Sequence, residues 1–219
     1  MLYPLGMEKV LMEKIGIMIN LNSDFLQDTQ YVDFTAPNIQ LKAAELFDGI
    51  TGDILKAQIA YEFVRDKIPH SFDTGAKIIV AKASDVLKHE TGICHAKSNL
   101  LAALLRSQDI PAGFCFQHCT LMEDDSAGYC VHCYNAVLLN GRWVKLDARG
   151  NKTGVNAQFS LDEPVLAFPP RPEYDEYFWP GIYAAPHSET MRMLEQANNL
   201  QDIIDNIPDV ITGKPDIAE

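Results

Sequence analysis

Val131-His132-Cys133-Tyr134-Asn135-Ala136-Val137-Leu138-Leu139-Asn140-Gly141-Arg142-Trp143-Val144-Lys145-Leu146-Asp147 is the stretch whose reading decides the fold. Asn-Gly between two runs rich in β-branched and aromatic residues is the pattern of a two-residue hairpin turn, because both central residues must take positive φ. If Asn140-Gly141 is that turn, Leu139 faces Arg142. Counting outwards then sets Tyr134 opposite Asp147 and His132 opposite Arg149. Side chains alternate along a strand, so His132, Tyr134 and Asp147 share one face. His132 and Asp147 become diagonal neighbours, separated by about 7–8 Å at the backbone. An imidazole and a carboxylate span such a gap with a hydrogen bond that fixes the tautomer and steadies an imidazolium. Asn135, at an odd offset from His132, falls on the opposite face.

Upstream lies His89-Glu90-Thr91-Gly92-Ile93-Cys94-His95-Ala96-Lys97-Ser98-Asn99-Leu100-Leu101, where a loop turns into a helix. The helix from about Ile93 to Ser107 is too apolar for a surface helix and belongs at the centre of the core, with Ile110-Pro111 ending it. Thr91-Gly92 reads as its cap, which puts Cys94 in the first turn. There the free backbone N–H groups and the helix dipole favour an anion, and a thiol attacks as thiolate. Gly92 is read as leaving room beside the thiol for a substrate carbonyl, with the Cys94 N–H as one oxyanion donor and Gln117 as a candidate for the second. A cysteine in a capped helix is ordinarily inert packing. An oriented His132 on a face that packs against it changes that reading. The other histidines serve less well: His95 points about a quarter-turn away from Cys94, His118 has no carboxylate at a comparable place, and His70, His89 and His187 have no partner that spacing assigns.

The rest of the chain supplies the frame. Residues 1–35 read as short strands and loops with an apolar run from Ile15 to Leu21. Pro37 opens a helix through Leu46, Asp53 to Asp66 form a second, and Ala83 to Lys88 a short third. Gly113 to Met122 is a strand, Glu123 to Ser126 a solvated loop and Tyr129 to Leu139 a strand. Proline-rich loops follow Asn151, and a single C-terminal helix is expected from about Ser188 to Asn206. Helices, then a central helix, then antiparallel strands indicate an α+β fold with a helix packed on a sheet. At 219 residues and 47% hydrophobic, one domain is expected over 1–219, with its core at about 53–151 and extensions packed on it.

A formal net charge of −12 argues against a phosphate-neutralising surface, so neither nucleic acid nor an anionic membrane is an expected partner. No stretch approaches the length of a membrane span, and Met1 to Leu21 lacks the features of a secretion signal. An odd number of cysteines, Cys94, Cys115, Cys119, Cys130 and Cys133, fits reduced thiols and a cytoplasmic setting. Cys115-x3-Cys119 and Cys130-x2-Cys133 superficially resemble zinc-ligand spacing. In strands, however, Cys130 and Cys133 point to opposite faces, so no metal and no cofactor is expected.

Gly-x-Cys at a helix start, Leu104-Leu105-Arg106 leading to Ile110-Pro111-Ala112, His132-x-x-Asn135-Ala136-Val137 and Trp143-Val144-x-Leu146-Asp147 together resemble the transglutaminase-like superfamily, particularly its small bacterial members. The resemblance covers roughly Asp53 to Asn151. It implies a papain-like α+β fold, with Cys94 as nucleophile, His132 as general base and then acid, and Asp147 orienting the histidine. Tyr134 stands where many members carry the tryptophan of His-x-Trp. The expected substrate is a peptide or amide, with hydrolysis as the first outcome because nothing specifies an amine-acceptor site. Transfer to an amine, a non-catalytic binding module and a Cys/His metal protein are the alternatives. Nothing in the sequence fixes an oligomeric state. Arg149, Asn151 and Lys152 could greet a substrate carboxylate or anchor a loop, Asp73 could line the cleft or cap a turn, and Tyr174, Tyr177, Phe178 and Trp179 read as a cover over the core.

Overall fold

A computed structural model describes residues 23–122 and 124–218. The apolar run Ile15 to Leu21 and the Glu123 position of the expected loop lie outside the described residues. Helices α1 (Pro37–Phe47), α2 (Asp53–Lys67), α3 (Ser71–Thr74) and α4 (Ala83–His89) precede the central α5 (Cys94–Arg106). Strands β1 (Ala112–Thr120), β2 (Tyr129–Leu139), β3 (Arg142–Leu146) and β4 (Tyr177–Phe178) follow, then α6 (Ser188–Gln196) and α7 (Leu200–Asn206). The strands form one antiparallel sheet in the order β3-β2-β1-β4. The fold is α+β, as the element order requires.

All 13 residues of α5 are buried. Leu100, Leu101, Leu104 and Leu105 pack with Phe114 and Phe116 of β1, Val131, Cys133 and Val137 of β2, and Ala57, Ala60, Tyr61 and Val64 of α2. The other face of the sheet is covered too: Cys115, Tyr134 and Ala136 pack with Phe25 and Ile182. A sheet buried on both faces has no need for polar residues at alternate positions, which is why β1 and β2 read as almost continuously apolar. Removing this helix and both strand faces from water is the main stabilising term, at about 25 cal/mol per Å² of apolar surface.

The Asn140-Gly141 turn is present, with φ of 50° and 75° at its two residues, and Leu139 pairs with Arg142 as counted. The ladder stops at Asn135 opposite Leu146, so Asp147 has already left the sheet. Because β3 is short, the edge of β2 is open from Val131 to Cys133. The first turns of α5 fill it: the His95 ring (Nε2) meets the Val131 carbonyl at 2.9 Å, and Ser98 Oγ donates to the Cys133 carbonyl at 3.3 Å. Asn135 Nδ2 donates to Ser98 O and Gly113 O, both at 3.1 Å, tying helix to sheet. This open edge, rather than the hairpin alone, brings the start of α5 beside His132.

Two expectations need correction. The proline-rich region contains β4, which pairs Gln117 with Phe178 and His118 with Tyr177. The C-terminal helix is two helices, because Ala197-Asn198-Asn199 breaks it and the Asn199 side chain caps the second by accepting from the Gln201 and Asp202 N–H groups. The break lets the chain turn back so that Pro208 O accepts from the Val131 N–H at 2.9 Å.

Arg106, buried at the end of α5, holds the segments around Gln27 and Ala184 to this core. Its guanidinium donates to Ala112 O (2.7 and 3.0 Å), Gln27 O (2.8 Å) and Ala184 O (2.6 Å). These acceptors are backbone carbonyls that no side-chain substitution can remove, so losing the donor leaves them desolvated and unpaired. Arg106→Leu should lower unfolding stability by about 3 kcal/mol or more in urea titrations, with Arg106→Lys recovering only part of the loss because one ammonium cannot reach all three carbonyls.

Candidate active site

Cys94 opens α5, and the residue before it, Ile93, is extended with no side-chain cap. Thr91 does not cap the helix, because its hydroxyl pairs with Ser71 Oγ at 3.1 Å. The vacant place is taken by His70, whose Nε2 accepts the Cys94 backbone N–H at 3.1 Å. The expected first oxyanion donor is therefore occupied by an imidazole in this structure. His70 reaches it through a parallel bridge to Gly92, with Ser71 N–H donating to Gly92 O at 3.1 Å. Gly92 is small for a different reason than expected: a Cβ there would meet Ala96 Cβ at 3.2 Å, so the bare backbone lets the bridge pack on the first turn of the helix.

His132 is 3% exposed, and its Nε2 lies 2.8 Å from Asp147 Oδ2. Asp147 is held by its own loop rather than by the ladder, with Oδ1 accepting from Arg149 N–H at 3.0 Å and Oδ2 from Ala167 N–H at 2.9 Å. With Nε2 committed to the carboxylate, Nδ1 is the ring nitrogen left to serve the Cys94 thiol, whose proximity is one of the influences raising the His132 pKa. Burial alone would depress the His132 pKa, yet the Asp147 charge, Cys94 and the hydrogen bonds to both outweigh it and hold His132 well above the ordinary histidine range. For Asp147, burial pushes upward and is outweighed by His132 and the two backbone N–H groups, so its carboxyl stays below the usual range.

The pair is roofed by the segment from Leu166 to Trp179. Phe168 stands edge-on to the His132 ring at 5.1 Å, and Phe178 lies 6.0 Å from Tyr134, which stacks on His132 at 6.4 Å. Glu176 pins the roof to β1, accepting from Thr120 N–H and Thr120 Oγ at 3.0 Å and from the Arg171 side chain at 2.7 and 3.1 Å. Burial raises the Glu176 pKa, but these donors prevail and bring it to about 2. Cys94 keeps 9% of its surface exposed, more than His132 or Asp147.

Lys97 is buried one turn along α5, and its ammonium donates to Ile68 O and Arg149 O, the latter at 2.8 Å. It clamps the His70 segment and the Asp147 loop onto the same helix. Burial, with Arg149 nearby, lowers its pKa to about 7. Arg149 itself is spent on anchoring, since it and Lys152 both pair with Asp73, and Asn151 brackets Ala157 through two hydrogen bonds. Gln117 is directly opposite His132 across β1 and β2 and so shares its face. It is fully buried, and neither amide heteroatom has a hydrogen-bond partner.

Three further histidines, His95, His118 and His187, are engaged elsewhere. His95 is buried against Val131 O and its pKa falls to about 3 through burial. His118 stacks between Tyr129 and Tyr177, and His187 bonds Thr190. Cys133 faces α5 while Cys130 pairs with Cys119 on the other face, and no cluster of three or more metal-ligating side chains exists among the described residues. Sequence reasoning missed His70 and Lys97. A lysine on the face of an otherwise apolar core helix was a visible signal, whereas the His70–Gly92 bridge is tertiary and left none.

Replacing Asp147 tests the electrostatics. Because the folded His132 pKa is raised above its unfolded value of about 6.5, its stabilisation is complete below that pH and is lost as pH rises through the folded pKa. The depressed Asp147 pKa contributes stability above about 3.9 that is lost as pH falls through its folded value. In Asp147→Asn the His132 ring should titrate at lower pH by NMR, and the alkaline loss of stability seen in the parent should shrink. An unchanged ring titration would contradict the assigned coupling.

Residues 41–148 match the sequence profile of the transglutaminase-like superfamily, a span that includes Cys94, His132 and Asp147. Among solved structures, the chain is similar to a proposed cysteine protease from Cytophaga hutchinsonii, at 19% identity over 57% of this chain and 40% of that one, with a TM-score of 0.43. It is also similar to a TGase, at 15% identity over 62% of this chain and 37% of that one, with a TM-score of 0.40. This chain spans about two fifths of the length of either structure. No curated protein matches it.

Proposed function

We propose, from the match of residues 41–148 to the transglutaminase-like superfamily, that this chain is a member of it and a thiol-dependent acyl-transfer enzyme acting on a peptide or amide carbonyl. The observation that carries the proposal is the 2.8 Å bond from His132 Nε2 to Asp147 Oδ2, which leaves Nδ1 as the ring nitrogen that in this reading serves Cys94. In this reading Cys94 is the nucleophile, His132 the base and then the acid, and Asp147 the group that fixes the ring.

The chemistry follows from the proton positions. A raised His132 pKa favours the imidazolium, so the thiol proton passes to Nδ1 and the thiolate attacks the carbonyl carbon. The tetrahedral oxyanion needs donors, and the Cys94 N–H serves only if His70 yields it, so substrate binding and His70 displacement are linked. As the C–N bond breaks, the imidazolium gives its proton to the departing amine and a thioester remains on Cys94. Water then attacks the thioester while His132 takes its proton, the C–S bond breaks and the thiolate regains its starting state. An amine in place of water gives transfer by the same steps.

Hydrolysis is the outcome proposed first. Incubating the protein with a library of peptides and amides, with and without a primary amine, and reading Cys94 by intact and peptide mass spectrometry tests the reading. Acyl adducts at Cys94, absent in Cys94→Ala, and free acid as the main product are expected; a mainly amine-capped product would favour transfer. Asp147→Asn should lower turnover by roughly 10²–10⁴-fold while sparing adduct position. No adduct and no turnover across the panel would favour a non-catalytic binding module.

A further inference from the structure

Cys119 and Cys130 are cross-strand partners on β1 and β2. Leu121 N–H donates to Gly128 O and Leu138 N–H to Pro111 O, both at 2.9 Å, at the two ends of this ladder. That parity makes Cys119 and Cys130 a pair that exchanges backbone hydrogen bonds, with Cα atoms about 5.5 Å apart. The span is inside the range a disulfide bridges, about 4.4–6.8 Å, and directly opposed side chains leave the same face. Both are free cysteines. Each sulfur also sits against a backbone carbonyl of the opposite strand, Cys119 on Cys130 O at 3.9 Å and Cys130 on Thr120 O at 4.0 Å. The next pair along the ladder is Gln117 and His132, on the same face.

We propose that Cys119 and Cys130 are a dithiol modification site, oxidised reversibly by hydroperoxides to a cross-strand disulfide beside His132. Neither the acyl-transfer reading nor the family match assigns these residues a role. The two thiols are unequal in the way stepwise oxidation requires. Cys130 is half-buried and meets solvent, whereas Cys119 is buried. The adjacent Cys119 thiol, with His132 nearby, lowers the Cys130 pKa, while the Cys130 thiol and burial push Cys119 up. Of these two, Cys130 has the greater thiolate character and reacts before Cys119. Its sulfur attacks one peroxide oxygen, the O–O bond breaks, and a sulfenic acid and hydroxide form. The Cys119 sulfur then attacks the Cys130 sulfur, the S–O bond breaks, and the hydroxide leaves as water with the Cys119 proton. Two thiols and one hydrogen peroxide become one disulfide and two waters, and an added thiol reductant reverses the change.

The test uses the reduced full chain, hydrogen peroxide at slight molar excess and neutral pH. Thiols are then alkylated under denaturing conditions and counted by intact mass. The count should fall from five to three and return to five after dithiothreitol. No lysine or arginine lies between Arg106 and Arg142, so a protease specific for acidic residues, cutting at Glu123 to Asp125, is needed to separate the two cysteines. Fragmentation of the joined peptides should place the bridge at Cys119 and Cys130. In Cys119→Ser the bridge should vanish and Cys130 should accumulate as a sulfenic acid trapped by dimedone, with circular dichroism reporting the fold. Five remaining thiols, a bridge that includes Cys94, or a disulfide surviving in Cys119→Ser would overturn the proposal. Each readout is independent of acyl transfer, so a failed activity assay leaves this test intact.

Discussion

A hydrogen-bonded ion pair taken almost wholly out of water, His132 with Asp147, is the constraint on which the rest of the structure depends. Burying either charge alone would cost several kcal/mol, so each needs the other and needs its remaining valences filled. The surroundings meet that demand. Asp147 takes two backbone N–H groups in addition to the imidazole, one from its own turn and one from the roof. His132 is closed in by Tyr134 on its own strand and Phe168 above. The roof is in turn fastened by Glu176, another buried carboxylate satisfied by Arg171 and Thr120. Breaking any of these leaves a desolvated charge rather than a merely weaker contact.

The second determinant is the short β3. A full-length partner would have covered the Val131 and Cys133 carbonyls and kept α5 on one face of the sheet. By ending at Leu146 it frees those carbonyls for His95 and Ser98, which draw the start of the helix to the edge of β2. Cys94 thereby meets a histidine whose side chain belongs to the face opposite the α5 core. Lys97 adds a single cation that holds both flanking loops, and its depressed pKa is the electrostatic cost of using a lysine there.

Much of this was legible in the residues because the informative parts are local. Asn140-Gly141 imposes positive φ, and the register from Leu139 opposite Arg142 follows from it. The face assignments of Asn135 and of Cys130 against Cys133 follow from alternation alone. The diagonal contact between His132 and Asp147 was expected from the ladder and is met instead by a loop, since the ladder ends one residue earlier. What escaped was tertiary. β4 is two residues long and exists only because β1 offers an edge, and the C-terminal helix breaks where Asn199 finds a capping role. His70 carries no local signal, because its contact with Cys94 depends on a single parallel bridge to Gly92. Gln117, by contrast, is found by register once His132 is placed.

The rate of iodoacetamide alkylation at Cys94 near neutral pH, compared between the parent and His132→Ala, tests the central claim most directly. A thiol beside a histidine held in its protonated form should be the fastest-labelling of the five cysteines, and its rate should fall at least tenfold in the variant. Equal rates in the two proteins, or first labelling at a cysteine other than Cys94, would contradict the account.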